Sequence, residues 1–129
     1  MILDSSALVA ILAGEDDADQ YVSAIAKAPV RRISASTFVE TSIVLEAQHG
    51  ADVVRQFDAL LRRADVRIEP VTEEHAFLAR QAYVDYGKGR HPAGLHFGDC
   101  FSYALAKQTG EPLLYKGDDF RKTDLLSAI

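Results

Sequence analysis

The sequence predicts a single α/β domain over residues 1–129, with a mainly parallel central sheet flanked by helices. Three observations lead to this prediction. Short apolar segments alternate with longer amphipathic ones, the pattern of strands joined by helical crossovers. The 129 residues are 48% hydrophobic, which is enough for one buried core. No repeat, low-complexity tract or linker divides the chain.

The first half of the sequence predicts two strands and four helices. Met1–Asp4 is an apolar segment closed by an acid, typical of a buried strand. Ser5 and Ser6 can cap the following helix, which is expected to end near Ala13. The remaining predicted elements are a helix over Asp16–Ala28, a strand over Val30–Ser34, and helices over Ala35–His49 and Ala51–Arg63, with Gly50 between the last two.

The second half predicts two more core strands, a small edge strand, two helices and one long loop. Thr72 can cap a helix that ends at Tyr86, and Phe77, Ala79 and Tyr83 are predicted on its buried side. The other predicted elements are a strand over Val66–Glu69, the Gly-rich loop Gly87–Gly98, a helix over Asp99–Thr109, a strand over Pro112–Tyr115 and a small edge strand in the tail.

Composition excludes several functional classes. The one cysteine, Cys100, cannot form an internal disulfide, and the absence of Cys/His clusters argues against structural zinc. Met1–Leu12 has no basic leader and is too short to span a bilayer, so we expect a cytoplasmic protein without a membrane segment. The net charge of −5 argues against bulk electrostatic binding of nucleic acid, so any such binding needs a local site.

Carboxylates fall where the predicted strands end or the predicted helices begin. Asp4 ends the first strand, Glu40 lies in the first turns of the third helix, and Asp99 starts a late helix. Asp118 and Asp119 follow the last core strand. Open α/β sheets bind ligands at the edge where the strands end, so we expect these acids to converge in one cleft.

Converging carboxylates repel one another unless a cation neutralises them. At about 4 Å and an effective dielectric near 20, one pair costs on the order of 4 kcal/mol. Oxygen ligands suit Mg²⁺ or Mn²⁺. A divalent cation also supplies what phosphodiester hydrolysis needs, an activated water and positive charge, without a nucleophilic side chain. The acidic pattern therefore favours a metal-dependent hydrolase of phosphodiesters.

Each acid also has a structural interpretation that the sequence leaves open. Asp4 and Asp99 can be ordinary helix caps. Glu40 follows Thr37 at the spacing of a reciprocal capping box. The two acids after Gly117 can be ordinary turn residues.

Three segments carry a family resemblance. MILDSSALVAIL, SASTFVETSIVLE and YGKGRHPAGLHFGDCFSYALAKQTGEPLLYKGDDF resemble PIN-domain toxins of the VapC type, in order and over essentially the whole chain. The resemblance implies a parallel sheet flanked by helices and an acidic quartet that binds Mg²⁺ or Mn²⁺ and cleaves single-stranded RNA. By position, Asp4, Glu40 and Asp99 match three of the four acids.

The fourth acid and the partners also follow from the resemblance. The family often has an acid-x-Asp-Phe pattern after the last core strand, but Gly117 stands at the earlier acidic position here. Asp119 is the best match and Asp118 the substitute. The resemblance further implies a homodimer and a small VapB-type antitoxin, whose tail blocks the cleft.

Basic residues beside the acids are candidates for contacts with RNA phosphates. Lys88, Arg90 and His91 lie in the loop before Asp99, and Lys116 precedes the last acids. The alternative is a solvated loop or a dimer contact.

Other polar residues have candidate roles around the acids. His96 and His91 could carry protons, although we expect His96 to be structural. Ser5, Ser6 and Ser102 are candidate hydrogen-bond donors to the acids.

Two other functional classes compete with a nuclease. A receiver-like phosphoacceptor domain needs paired acids after the first strand and a mid-chain strand that ends in a phosphorylatable Asp. Here serines follow Asp4, the Val66–Glu69 strand ends in Glu-Pro, and Lys116 is the only partial match. A catalytically inactive PIN-type interaction module is the other alternative, and the Gly117 departure is what keeps it open.

Overall fold

The structure, a computed structural model that describes residues 1–129, contains four short strands and six α-helices. The strands are β1 (Ile2–Leu3), β2 (Arg32–Ser34), β3 (Arg67–Glu69) and β4 (Leu113–Leu114). The helices are α1 (Ser5–Leu12), α2 (Ala18–Lys27), α3 (Ala35–His49), α4 (Ala51–Arg63), α5 (Glu73–Tyr86) and α6 (Phe97–Thr109). A single 3₁₀ turn follows over Phe120–Lys122.

All four strands are parallel, in the order β3-β2-β1-β4, which confirms the predicted fold class. In the pairing register, Ile2 lies opposite both Arg32 and Leu113. The chain winds outward from β1 to β3 and then crosses back to add β4 on the other side of β1. This reversal makes a topological switch point between β1 and β4, where α/β sheets form their ligand crevice.

Helices pack on the sheet in two apolar clusters. Leu3 and Leu114 pack with α1 to α4, whereas their neighbours Ile2 and Leu113 pack with α5 and α6, because alternate strand residues point to opposite faces. The central side chains of both clusters are fully buried. The predicted edge strand in the tail is reduced to one parallel bridge, between Leu113 and Ser127.

Helix α5 buries a different face from the one predicted. Ala79 is buried as expected, but Phe77 and Tyr83 are 55% and 41% exposed, and His75 and Ala82 are buried instead. The apolar spacing does not mark the buried face, because α5 packs against α6 partly through the small side chains Ala79 and Ala82, which let two helices approach closely.

Helix α6 also differs from the prediction, because it begins two residues early. His96 is its cap residue and Asp99 occupies the third helical position, so Asp99 is not the cap itself. No helix of the structure combines the length and the apolar character needed to cross a membrane.

Candidate active site

Asp4 lies at the carboxyl end of β1, beside the switch point, and is only 2% exposed. One carboxylate oxygen, Oδ2, accepts the Ser6 backbone N–H at 3.0 Å and the Ser6 hydroxyl at 2.6 Å. The other oxygen, Oδ1, accepts the Ser102 hydroxyl at 2.6 Å. Asp4 therefore does cap α1, but the bond from α6 also fixes its position relative to the rest of the cleft.

A buried chain of hydroxyls extends from Asp4 to α3. The Ser102 hydroxyl gives its only proton to Asp4, so the Thr37 hydroxyl, 3.1 Å from Ser102 Oγ, must be the donor in that pair. Both hydroxyl residues are at least 99% buried. Through these bonds β1, α3 and α6 are held in one arrangement around the carboxylate.

Ser102→Ala is expected to lower the free energy of unfolding by about 1–3 kcal/mol, because Asp4 loses a donor and the Thr37 hydroxyl loses its acceptor inside the protein. Urea unfolding of the variant and the parent measures the difference. The double variant Ser102→Ala/Thr37→Val is the matched control and should recover part of the loss. An unchanged stability in Ser102→Ala would contradict the hydrogen-bonded chain.

Glu40 lies in the second turn of α3 and is not part of a capping box. The helix is capped by Ser34, whose hydroxyl accepts the Ser36 N–H at 3.3 Å, and Thr37 is committed to Ser102. Burial raises the pKa of Glu40, and the charges of Asp4 and Asp99 raise it further, against an opposing hydrogen bond from Ser5. The Glu40 carboxylate lies against Gly98, the residue before Asp99.

Asp99 is the third member of the cluster. Its Oδ2 accepts the His96 backbone N–H at 2.8 Å, which stabilises the start of α6 and leaves Oδ1 without a protein donor. Burial raises the pKa of Asp99, and the charges of Asp4 and Asp119 raise it further. The side chain still keeps 22% exposure, so a ligand can reach it from the cleft.

The two acids after β4 point to different places. Asp118 is exposed and pairs with Arg121, with Nη1 and Oδ1 3.3 Å apart. Asp119 lies with Asp99 and His96, and ligand atoms from all three residues are within 4.8 Å of one another. The structure thus brings Asp119, and not Asp118, to the acidic cluster.

The donor set of this cluster fits a hard divalent cation. Carboxylates from β1, α3, α6 and the segment after β4 supply oxygen ligands, and two of them have pKa values raised by burial and by mutual repulsion. A cation removes this repulsion, and oxygen-rich sites suit Mg²⁺ or Mn²⁺.

Two of the predicted phosphate contacts have other partners. The Lys116 ammonium pairs with Glu15 and with Asp17, the latter at 3.0 Å, and these hydrogen bonds raise its pKa. These two carboxylates compete with a phosphate for the Lys116 charge, so the phosphate contact stays a prediction. His91 accepts the Ala93 N–H through Nδ1 at 3.0 Å, so its ring shapes the loop.

Lys88 and Arg90 remain available on the loop before α6. Both are exposed, and the Arg90 guanidinium lies over the Tyr83 ring at 5.6 Å. Neither side chain forms an ion pair with an acidic residue.

Sequence reasoning missed one residue of the site, Gly98. A Cβ placed on Gly98 would overlap the carboxylate of Glu40, so only glycine lets that side chain lie against the start of α6. A glycine inside a helix, directly before an acid, was the available signal. His96, expected to be structural, has a 62% exposed side chain beside Asp99.

The sequence matches a known protein family over almost its whole length. The family model described as PIN domain matches residues 1–126. "Ribonuclease VapC28" of Mycobacterium tuberculosis is 52% identical over 130 residues, covering 100% of this chain and 98% of the relative. "Ribonuclease VapC" of Mycolicibacterium smegmatis is 52% identical over 125 residues, covering 97% of each chain.

Solved structures show the same fold at lower identity. Mycobacterium tuberculosis VapC20, described as a sarcin-ricin loop cleaving toxin, aligns with a TM-score of 0.79 at 22% identity and covers 97% of this chain and 95% of its own. A toxin–antitoxin complex from Klebsiella pneumoniae aligns with a TM-score of 0.72 at 18% identity, covering 99% and 97%. The family match and the identity along almost the whole chain exclude a receiver domain. The chain belongs to the PIN-domain family, and within it to the VapC-type endoribonuclease toxins of toxin–antitoxin systems.

Proposed function

We propose that Asp4, Glu40, Asp99 and Asp119 form the catalytic centre of this endoribonuclease and bind a divalent cation, Mg²⁺ with Mn²⁺ as an alternative. The observation that carries the proposal is the crowding of carboxylates at the switch point between β1 and β4. Two of them have pKa values raised by burial and by the neighbouring charges. Such crowding destabilises the folded chain unless a cation binds there.

The side chains of this centre have separate tasks. Asp4 is immobilised by its three donors, and Asp99 is oriented by the His96 N–H. Glu40 reaches the cluster across Gly98. When bound, the cation supplies positive charge at the scissile phosphate and a water of lowered pKa. The protein's own contribution is to hold the carboxylates in place before the RNA arrives.

RNA is proposed to enter beside the loop that precedes α6. Lys88 and Arg90 are exposed there. Unpaired basic side chains bind the phosphates of an RNA, and such contacts position its backbone without selecting bases. Single-stranded regions fit this arrangement, because their backbone can bend to bring one phosphate to a recessed site.

The proposed partners are a VapB-type antitoxin and a second copy of the chain, acting in the cytoplasm. A solved neighbour of the same fold is a toxin–antitoxin complex, which supports the antitoxin. Exposed apolar side chains on α5 and α6, among them Phe77, Val84 and Phe97, support a homodimer, since such groups are usually covered in an assembly.

Removal of divalent cations is expected to abolish RNA cleavage, and added Mg²⁺ should restore it. Cleavage of a structured RNA by the purified chain, with and without EDTA, measures this. In parallel, Mg²⁺ should raise the melting temperature, because a ligand that binds only the folded state stabilises it. A chain that melts higher with Mg²⁺ yet never cuts RNA would be the inactive interaction module. Cleavage that persists in EDTA would contradict the metal centre.

A further inference from the structure

His96 is an exposed imidazole at the edge of the acidic cluster. Its Nδ1 lies 3.5 Å from Asp99 Oδ2, and the side chain is 62% exposed. At the start of α6, His96 and Asp99 form a capping box: the His96 backbone N–H donates to the Asp99 carboxylate, and the His96 ring faces the Asp99 backbone N–H. The ring itself does not pack in either core cluster. Asparagine, aspartate or serine caps a helix at least as well, so the cap does not require an imidazole at this position.

The imidazole faces two of the proposed metal ligands. Atoms of His96, Asp99 and Asp119 that can bind a metal lie within 4.8 Å of one another. Ligand bonds of about 2.0–2.2 Å allow such atoms to lie up to roughly 4.3 Å apart around one ion. His96 and Asp119 are both exposed side chains, so small rotations close the difference.

We propose that His96 supplies a nitrogen ligand to a cation shared with Asp99 and Asp119, and that this raises the affinity of the site for Mn²⁺ and Co²⁺ but not for Mg²⁺. The inference rests on the proposed function, because it assumes a cation among the acids. It adds a ligand that is not acidic. It also assigns the ring a function at the cleft, where the sequence suggested a structural one.

The chemistry of the ligands determines this preference. Imidazole is a ligand for first-row transition-metal ions, and affinities rise from Mn²⁺, at the weak end of the series, to Co²⁺. Mg²⁺ prefers oxygen and keeps several of its waters, so a neighbouring imidazole adds little to its binding. A neutral ring also changes no charge, so the electrostatic attraction of the carboxylates for any divalent ion stays the same.

The test compares three proteins: the parent, His96→Asn and His49→Asn. Asparagine is a favoured helix cap, so His96→Asn keeps the start of α6 intact. His49 is an exposed histidine at the far end of α3 and makes His49→Asn the matched control. Titration calorimetry with Mn²⁺ and with Mg²⁺, each alone and without RNA, gives the affinities. Pulsed EPR of the Mn²⁺ complex reports directly whether a nitrogen is bound to the ion.

The expected result is a Mn²⁺ affinity about tenfold or more weaker in His96→Asn, the scale on which ligand surroundings tune metal sites, with Mg²⁺ affinity unchanged. The parent and His49→Asn should both show the nitrogen signal, and His96→Asn should not. Equal Mn²⁺ affinities, or no nitrogen signal in the parent, would overturn the inference while leaving the acidic centre intact. If the parent binds neither ion, the proposed function itself fails, and the two failures are thereby distinguished.

Discussion

Asp99→Asn is expected to lower RNA cleavage by about a thousandfold, the scale of losing one preorganised charged group at a reacting centre. The amide oxygen can still accept the His96 N–H, so the start of α6 is preserved. What disappears is the negative charge that attracts the cation. Rates of cleavage of one RNA under single-turnover conditions, at saturating Mg²⁺, measure the loss. Cleavage at the parental rate would remove Asp99 from the catalytic centre.

The same variant is expected to melt at or above the temperature of the parent when no metal is present. The pKa values of Asp99 and Glu40 are raised in the folded chain, so folding favours their protonated forms. Between the ordinary carboxyl range and these raised values, the stability of the metal-free parent therefore falls as pH rises. Asp99→Asn removes one of the two groups that make stability depend on pH in this way. Melting curves recorded from mildly acidic to neutral pH measure this pH dependence in the variant and the parent. A large loss of stability at every pH would contradict the repulsion among these carboxylates.

Asp4→Asn is the informative contrast, because it should be inactive and also less stable. Asp4 is buried and accepts three hydrogen bonds on two oxygens. An amide offers one acceptor oxygen and one donor group, so at least one buried donor loses its partner, at about 1–3 kcal/mol. The two substitutions neutralise one carboxylate each, yet the structure predicts opposite effects on stability.

Gly98→Ala is expected to lower cleavage by about a hundredfold, as misplacement of a catalytic group by about 1 Å can do. The added Cβ would occupy the space of the Glu40 carboxylate, and this flexible side chain would swing away from the cluster. Stability should be unchanged or up to about 1 kcal/mol higher, since alanine is the better helix former. Cleavage rates and thermal melting of the variant measure the two effects.

A double-mutant cycle with Glu40→Ala separates this explanation from general damage. If Gly98→Ala acts by displacing Glu40, it should have almost no further effect once that carboxylate is gone. Additive losses in the double variant would show that Gly98 affects the site by another route.

The positions of the acids along the chain could be predicted because they follow local rules. An acid that closes an apolar strand, as Asp4 does, or that lies in the first turns of a helix after a strand, as Glu40 does, must lie at one edge of a parallel sheet. The bounds of α3 and α4 were also predictable, because Gly50 separates two amphipathic runs. Their roles as ligands stay predictions until the variants are measured.

Other features depend on which surfaces meet in three dimensions. The sequence by itself determined the parallel α/β architecture and the strand-end and helix-start positions of the acids, because periodicity and strand-end chemistry act over a few residues. Only the tertiary structure decided that Lys116 pairs with Glu15 and Asp17, that Asp119 joins Asp99, and that Ser102 connects Asp4 to Thr37. These contacts join residues up to 101 positions apart in the sequence. Which residues meet depends on the distances and angles at which the helices and the sheet pack, and the local sequence pattern does not specify these.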